Sequence, residues 1–105
     1  VAGDKVLLCN VSLQVIPGVP EEDLYPMVDR VIELIRKSGV KYVVGPMETT
    51  MEGELHRLLE IVEEAQKLCL RHGAGRVLSV VKIDCKAGGV TIEEKIGKYR
   101  EGMEK

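Results

Sequence analysis

The stretch from Lys5 to Ile16 reads KVLLCNVSLQVI, and its period decides what the rest of the chain has to be. Leu7, Cys9, Val11, Leu13 and Val15 alternate with Leu8, Asn10, Ser12, Gln14 and Ile16. That two-residue repeat is a β-strand with one apolar face. Its other face is polar at the centre, where Asn10, Ser12 and Gln14 stand in line, and apolar at the ends. Pro17-Gly18 and Pro20 end the strand in a loop.

Working outward, the apolar period changes from two to that of a helix. Leu24, Val28, Val31, Ile32 and Ile35 recur at helical spacing between Asp23 and Lys37, with acids ahead of them, Arg36-Lys37 at the end and Gly39 as C-cap. Pro26 lacks the N–H that a helix interior needs, so the regular helix is placed near Asp23, with Glu21-Glu22 as its lead-in. Val40 to Val44 is short and β-branched and stops at Gly45-Pro46. Met47 to Glu52 gives a second short strand, and Gly53 breaks it. A long helix follows from Glu54 to Arg71, with Leu55, Leu58, Leu59, Val62, Ala65 and Cys69 as its buried stripe, and His72-Gly73 closes it. Arg76 to Cys85 alternates again, Val77, Ser79, Val81, Ile83 and Cys85 against Leu78, Val80, Lys82 and Asp84. After a turn at Lys86-Ala87-Gly88-Gly89, Thr91 and Glu94 have the spacing of a capping box for a short C-terminal helix docked by Ile92, Ile96 and Tyr99.

The order is strand, helix, strand, strand, helix, strand. Right-handed crossovers then make a βαββαβ sandwich, an α+β ferredoxin-like fold, the simplest closed solution. Its first and third strands are central and both long helices cover one face of an antiparallel sheet. The other face is open unless a ligand or a second subunit covers it.

Composition bounds the function. A chain of 105 residues and 11.6 kDa, 45% hydrophobic and 30% charged, has room for a single domain spanning 1–105 with its own core. Three tyrosines are its only aromatic residues, so that core is aliphatic and aromatic stacking platforms are not expected. Net charge is −2 with interspersed signs, which leaves no basic stripe to release counterions from nucleic acid. No apolar run approaches the roughly 20 residues that span a bilayer, and no signal-peptide core opens the chain. The expectation is therefore a cytoplasmic protein with neither nucleic-acid partner nor membrane insertion. Cys9, Cys69 and Cys85 lack CxxC pairing and sit in apolar patterns, so they read as buried thiols rather than as metal ligands. His56 and His72 lie at opposite ends of the second helix, too far apart to share a metal. No nucleophile with a base, metal cluster or phosphate loop is legible, so neither catalysis nor a cofactor is expected.

The open face carries the remaining information. Asn10, Ser12 and Gln14 occupy it on a central strand, and Lys82 and Asp84 join them from the last strand, among Leu8, Ile16, Leu78 and Val80. Such a mixture suits a subunit interface containing a polar pocket. Plain solvation of one sheet face is the competing reading. The segment Gly45-Pro46-Met47-Glu48-Thr49-Thr50-Met51-Glu52-Gly53 puts hydroxyls and carboxylates on a very short strand. By spacing alone it is a strand and turn with a solvated Glu52.

Several of these segments together resemble the YkoF-like thiamine-binding protein family, which includes small uncharacterised ferredoxin-like proteins of the MTH type. The likeness covers nearly the whole chain: the first strand running into Ile16-Pro17, Gly39-Val40-Lys41-Tyr42, Pro46-Met47 through Thr49-Thr50-Met51-Glu52-Gly53, and Arg76-Val77 running into Val81-Lys82-Ile83-Asp84. The resemblance implies a ferredoxin-like fold, homo-oligomers (dimer or tetramer) assembled through the sheets, and binding of thiamine or its hydroxymethylpyrimidine moiety without catalysis. By position it carries Thr49 and Glu52 over from the hairpin motif and Lys82 and Asp84 from the last-strand motif. The chain departs at Glu48, where a glycine is common, and at Lys86, where an arginine is usual.

The residues offer a mechanism for such binding. An aminopyrimidine presents an amine donor beside a ring-nitrogen acceptor, which the amides and hydroxyl of Asn10, Gln14 and Ser12 can match. A carboxylate such as Glu52 would accept from the amine or offset a positive thiazolium. Regular alternation puts Thr49 and Glu52 on opposite faces, so either a bulge near Thr50 redirects one or only one of them touches ligand. A regulatory or assembly module with another small ligand, or none, is the alternative, because this fold hosts many functions.

Overall fold

The computed structural model describes residues 7–100. Its elements are β1 (Leu8–Pro17), α1 (Glu21–Ser38), β2 (Lys41–Val44), β3 (Thr49–Glu54), α2 (Leu55–Arg71), β4 (Val77–Asp84) and α3 (Ile92–Ile96), with a 3-10 turn at Gly97–Tyr99. The strands form one antiparallel sheet in the order β2-β3-β1-β4, the ferredoxin-like arrangement. The first part of the expected opening strand, Lys5 and Val6, lies outside the described residues.

Alternation places β1 as its sequence requires. Val11 and Leu13 point at the helices and are buried, with Val15 packed against the same core. From β3 the core takes Met51, from α1 Met27, Val31 and Ile35, and from α2 Leu58, Ile61, Ala65 and Cys69. Met27 and Ile61 lie outside the stripes that helical spacing predicts yet are buried, whereas Leu59, which lies within its stripe, is exposed. On each helix the buried face is turned by less than one residue step from where the pattern suggests, because several adjacent apolar residues on one helix leave its phase free until the sheet fixes it.

The helix ends show how the loops are set. α1 begins two residues earlier than expected, directly after Pro20, so Pro26 sits in its second turn. The lost donor would have bonded the carbonyl of Glu22, an exposed residue on the solvent side. At the other end Gly39 adopts φ 82° and donates its N–H to the Arg36 carbonyl, a left-handed cap that favours glycine. Gly53 does not break β3 but lies within it, paired with Cys9. A side chain there would press on Leu58, with its Cβ 3.2 Å from Leu58 Cδ2. Glu54 ends the strand and caps α2, accepting from the N–H groups of His56 and Arg57.

The sheet face away from α1 and α2 is not wholly bare. Thr91 and Glu94 form the expected capping box, and the short helix they start folds back over one end of that face. There Asn10 Nδ2 donates to the Val90 carbonyl at 3.4 Å, Ile92 N–H donates to Glu52 Oε1 at 2.7 Å, and Lys95 pairs with Asp84 at 2.6 Å. Ile92 is buried by this contact, while Tyr99 remains mostly exposed.

Candidate functional site: a polar cavity on the second sheet face

Because β1 is flanked on both sides, its outward residues organise the second face into rungs. Asn10 stands between Glu52 and Asp84, and Ser12 between Thr50 and Lys82. Gln14 is paired with Val80 and Ile16 with Leu78, with no β3 residue on the far side because β3 begins at Thr49, opposite Leu13. The face therefore divides. Its α3 end is polar and covered, and its other end exposes Ile16, Leu78 and Val80.

Register also settles the hairpin. Pairing through Leu13–Thr49, Ser12–Thr50, Val11–Met51 and Asn10–Glu52 is unbroken, so there is no bulge at Thr50. Thr49 consequently points to the helix side and is buried, whereas Thr50 and Glu52 share the second face with Ser12 and Asn10. Glu52 is occupied by the Ile92 N–H.

The turn before β3 supplies a group that the sequence reading left outside its site. Gly45 donates its N–H to the Glu48 carbonyl at 2.8 Å, and a Cβ on Gly45 would lie only 2.9 Å from that oxygen, so this close turn needs glycine. It delivers Glu48 to the second face, where its carboxylate meets Lys82 Nζ at 2.9 Å. Since Ser12 lies between their strands, this ion pair roofs the Ser12 hydroxyl. The Lys82 ammonium, and then the nearby hydroxyl, hold the Glu48 carboxyl below the ordinary glutamate range. Ser12 Oγ lies close enough to bias that carboxyl yet makes no hydrogen bond of ordinary distance and angle.

Beneath the two ion pairs is a cavity of about 270 Å³ lined by Asn10, Ser12, Thr50, Glu48, Lys82, Asp84 and Lys95, with Ile83 between the last-strand pair. Asn10 Oδ1 and Ser12 Oγ are both buried there without a hydrogen-bond partner. A larger cavity of about 420 Å³ opens on the other side of the hairpin turn, between the β1 edge that β3 leaves unpaired and α1. Its lining is mainly apolar, including Leu24, Val28 and Ile32, and its polar side chains are Gln14, Tyr25, Glu48 and Thr49. The sequence-derived candidates thus separate: Asn10, Ser12, Lys82 and Asp84 share the smaller cavity, Gln14 and Thr49 border the larger, and Glu52 ties down α3. Lys95 is the member that sequence alone could not find, because its place depends on α3 folding back.

Comparison with known families bears on this geometry. The family model for thiamine-binding protein matches residues 11–100. The chain belongs to this thiamine-binding protein family. A UPF0045 protein of Clostridium perfringens is 62% identical over 92 residues, covering 88% of this chain and 97% of that protein. One from Methanothermobacter thermautotrophicus is 34% identical over 79 residues, covering 73% and 80%. Among solved structures, a Bacillus cereus domain of unknown function superposes with TM-score 0.85 at 44% identity, covering 92% of this chain and 94% of that one. A Thermotoga maritima protein provisionally assigned to thiamine biosynthesis or salvage superposes with TM-score 0.83 at 43% identity, covering 89% and 99%.

In this thiamine-binding family member Glu48, where the resemblance led us to expect glycine, is part of the cavity roof. Lys86, the second departure, pairs with Glu94 of α3 at 3.5 Å and so acts on the cover rather than on the cavity. Of its three cysteines, Cys9 and Cys69 are buried as the sequence pattern predicts, but Cys85, just past the end of β4, is exposed. Among the described residues no helix is long and apolar enough to cross a membrane.

Proposed function

We propose that this chain is a non-catalytic carrier of thiamine or its hydroxymethylpyrimidine moiety, bound in the cavity above Asn10 and Ser12. One observation carries the reading: Asn10 and Ser12 line a single cavity, and each holds a side-chain oxygen just beneath its surface whose hydrogen-bonding capacity is unused, so a ligand reaches them once the Glu48–Lys82 roof shifts. An unpaired buried group costs about 1–3 kcal/mol, and a ligand that pairs with it relieves that cost. Asn10 Oδ1 can accept from the pyrimidine amine, and the Ser12 hydroxyl can donate to the adjacent ring nitrogen. Glu48 is the carboxylate best placed to face a positive thiazolium, which would compete with Lys82 for it. A volume of about 270 Å³ is at the lower edge of ligand pockets, which run from roughly 300 Å³ upward, and this favours the pyrimidine end as the enclosed part.

The absence of catalysis belongs to the same reading. Around the cavity stand an amide, two hydroxyls and two ion pairs, and both histidines belong to α2 or its C-cap on the opposite side of the sheet. The apolar end of the face supports self-association. Ile16, Leu78 and Val80 are 43%, 57% and 46% exposed and adjacent, a patch suited to a second copy. Light scattering should then give two or four times 11.6 kDa, and a monomer at all concentrations would remove that part.

A second reading places the ligand in the larger cavity, favoured by its volume and apolar walls with few polar groups. Calorimetric titration of thiamine and of hydroxymethylpyrimidine into wild type, Ser12→Leu and Gln14→Leu separates the two. The proposal expects Ser12→Leu to abolish measurable binding while helix content is kept. Loss on Gln14→Leu alone transfers the site to the larger cavity, and unchanged affinity in both refutes binding at either.

A further inference from the structure

The register that builds the ligand face also sets two thiols against each other on the helix side. Asn10 pairs with Asp84, so the next rung brings Cys9 opposite Cys85, the first residue beyond β4. Their sulfurs are 3.1 Å apart, the Cys85 thiol donating to Cys9 Sγ. We propose that Cys9 and Cys85 form a thiol–disulfide exchange site, at which an uncharged low-molecular-weight disulfide reacts first at Cys85 and is resolved by Cys9 into an internal bridge.

The two positions differ in the way such a sequence of steps needs. Cys85 is exposed and is the first residue beyond β4, so it is reachable and lies outside the paired strand. Cys9 is 3% exposed and held inside β1 between Gly53 and Cys85, where a reagent does not reach it directly. A disulfide needs a sulfur separation near 2.05 Å, so the pair has about 1 Å left to close. Cys69, the third thiol, belongs to the α2 core and serves as an internal control.

The electrons balance within the named reagents. Cys85, as its thiolate, attacks one sulfur of the disulfide, forming a mixed disulfide and releasing one small thiol. Cys9 Sγ then attacks Cys85 Sγ, and the second small thiol leaves. One S–S bond is reduced and one is made, and the protein's two thiol protons end on the released thiols.

The surroundings set rate and choice of reagent. The Cys85 sulfur, which once ionised accepts from the Cys9 thiol and bears negative charge, together with burial and the negative charges of Glu54 and Asp84, pushes the Cys9 thiol up to about 11 in the reduced pair. Once Cys85 is in the mixed disulfide its own effect is gone, but burial and the two carboxylates still disfavour the Cys9 thiolate, the attacking species, so resolution quickens with pH. The same two carboxylates disfavour an anionic disulfide such as oxidised glutathione relative to a neutral one. The bridge would close at the root of the segment that carries Val90 and α3 over Asn10, whatever ligand the cavity takes.

Peptide mapping tests the proposal on the full chain. The protein is incubated at mildly alkaline pH with bis(2-hydroxyethyl) disulfide, alkylated to trap remaining thiols, and digested with trypsin without reduction. The expected product joins peptide 6–30, which holds Cys9, to peptide 83–86, which holds Cys85, while Cys69 is recovered alkylated in peptide 68–71. Cys9→Ser should stop at the mixed disulfide on Cys85, and Cys85→Ser should leave Cys9 unmodified in the folded protein. Wild type that accumulates the Cys85 mixed disulfide without the internal link, or that links Cys9 to Cys69, overturns the proposal. The wild-type map decides even where a variant fails to fold.

Discussion

Replacing Ser12 by alanine should move stability and affinity in opposite directions. In the free protein the hydroxyl is buried beneath the Glu48–Lys82 pair with no hydrogen bond of ordinary geometry, so its weak interaction with the Glu48 carboxyl offsets only part of the cost of burying it. An unsatisfied hydroxyl costs about 1–3 kcal/mol, and Ser12→Ala removes it while leaving a side chain of nearly the same size. Taking the lower end, because the roofing ion pair is itself partly exposed, the variant should be more stable by about 1 kcal/mol. For a chain of this length that is a rise in Tm of roughly 4–8 °C. The bound state loses the hydrogen bond from that hydroxyl, about 0.5–1.5 kcal/mol, which weakens pyrimidine binding roughly 2- to 12-fold. Urea unfolding and calorimetric titration on the same preparations read both quantities. A variant that is less stable than wild type and binds equally well would refute the reasoning, since the hydroxyl would then be satisfied in the fold and idle in the site.

Other perturbations follow from the same structure. Met51 is fully buried on the central strand β3, and Met51→Ala should cost about 2–5 kcal/mol by denaturant unfolding, where a loss under 1 kcal/mol would mean the core closes over the gap. Glu54→Ala removes the side-chain acceptor for two N–H groups of α2 and should cost about 1 kcal/mol; an unchanged midpoint would show that water serves those groups as well. Stability should also fall at high pH through Cys9. Its folded-state value is raised from 9.0 to about 11, so the stabilisation it contributes is complete below pH 9.0 and is lost as pH rises through about 11. Cys9→Ala should flatten that part of the stability profile, and a slope equal to that of wild type would assign the loss to other groups.

How much of this was legible in the sequence depends on which interactions decide each feature. The period of β1 and β4 assigns their faces without help, because a strand has only two and Val11, Leu13 and Val81 must share the buried one. The βαββαβ order, the Thr91–Glu94 capping box and the placing of Asn10, Ser12, Lys82 and Asp84 on one sheet face follow from such local rules. Helix phase was less secure, and Ile61 and Leu59 exchanged roles because both lie near one apolar stripe. Two features were out of reach. Pairing of Cys9 with Cys85 depends on the register between strands far apart in sequence. The cover formed by α3 depends on single contacts, Ile92 to Glu52 and Lys95 to Asp84, that leave no periodic trace. In the sequence Glu48 stands out only as a departure from the family's usual residue, and the Gly45 turn explains why its charge arrives over Ser12.

The central claim is that the native fold of this thiamine-binding family member holds thiamine or its pyrimidine half and releases it unchanged. Thermal unfolding with increasing thiamine or hydroxymethylpyrimidine, followed by chromatography of the recovered ligand, tests it most directly. A ligand present at a hundred times its Kd adds about 2.7 kcal/mol to the native state, a rise in Tm of roughly 10 °C or more for a chain of this size, and should be recovered intact. No shift with either compound at millimolar concentration, or recovery of a transformed product, would contradict the account.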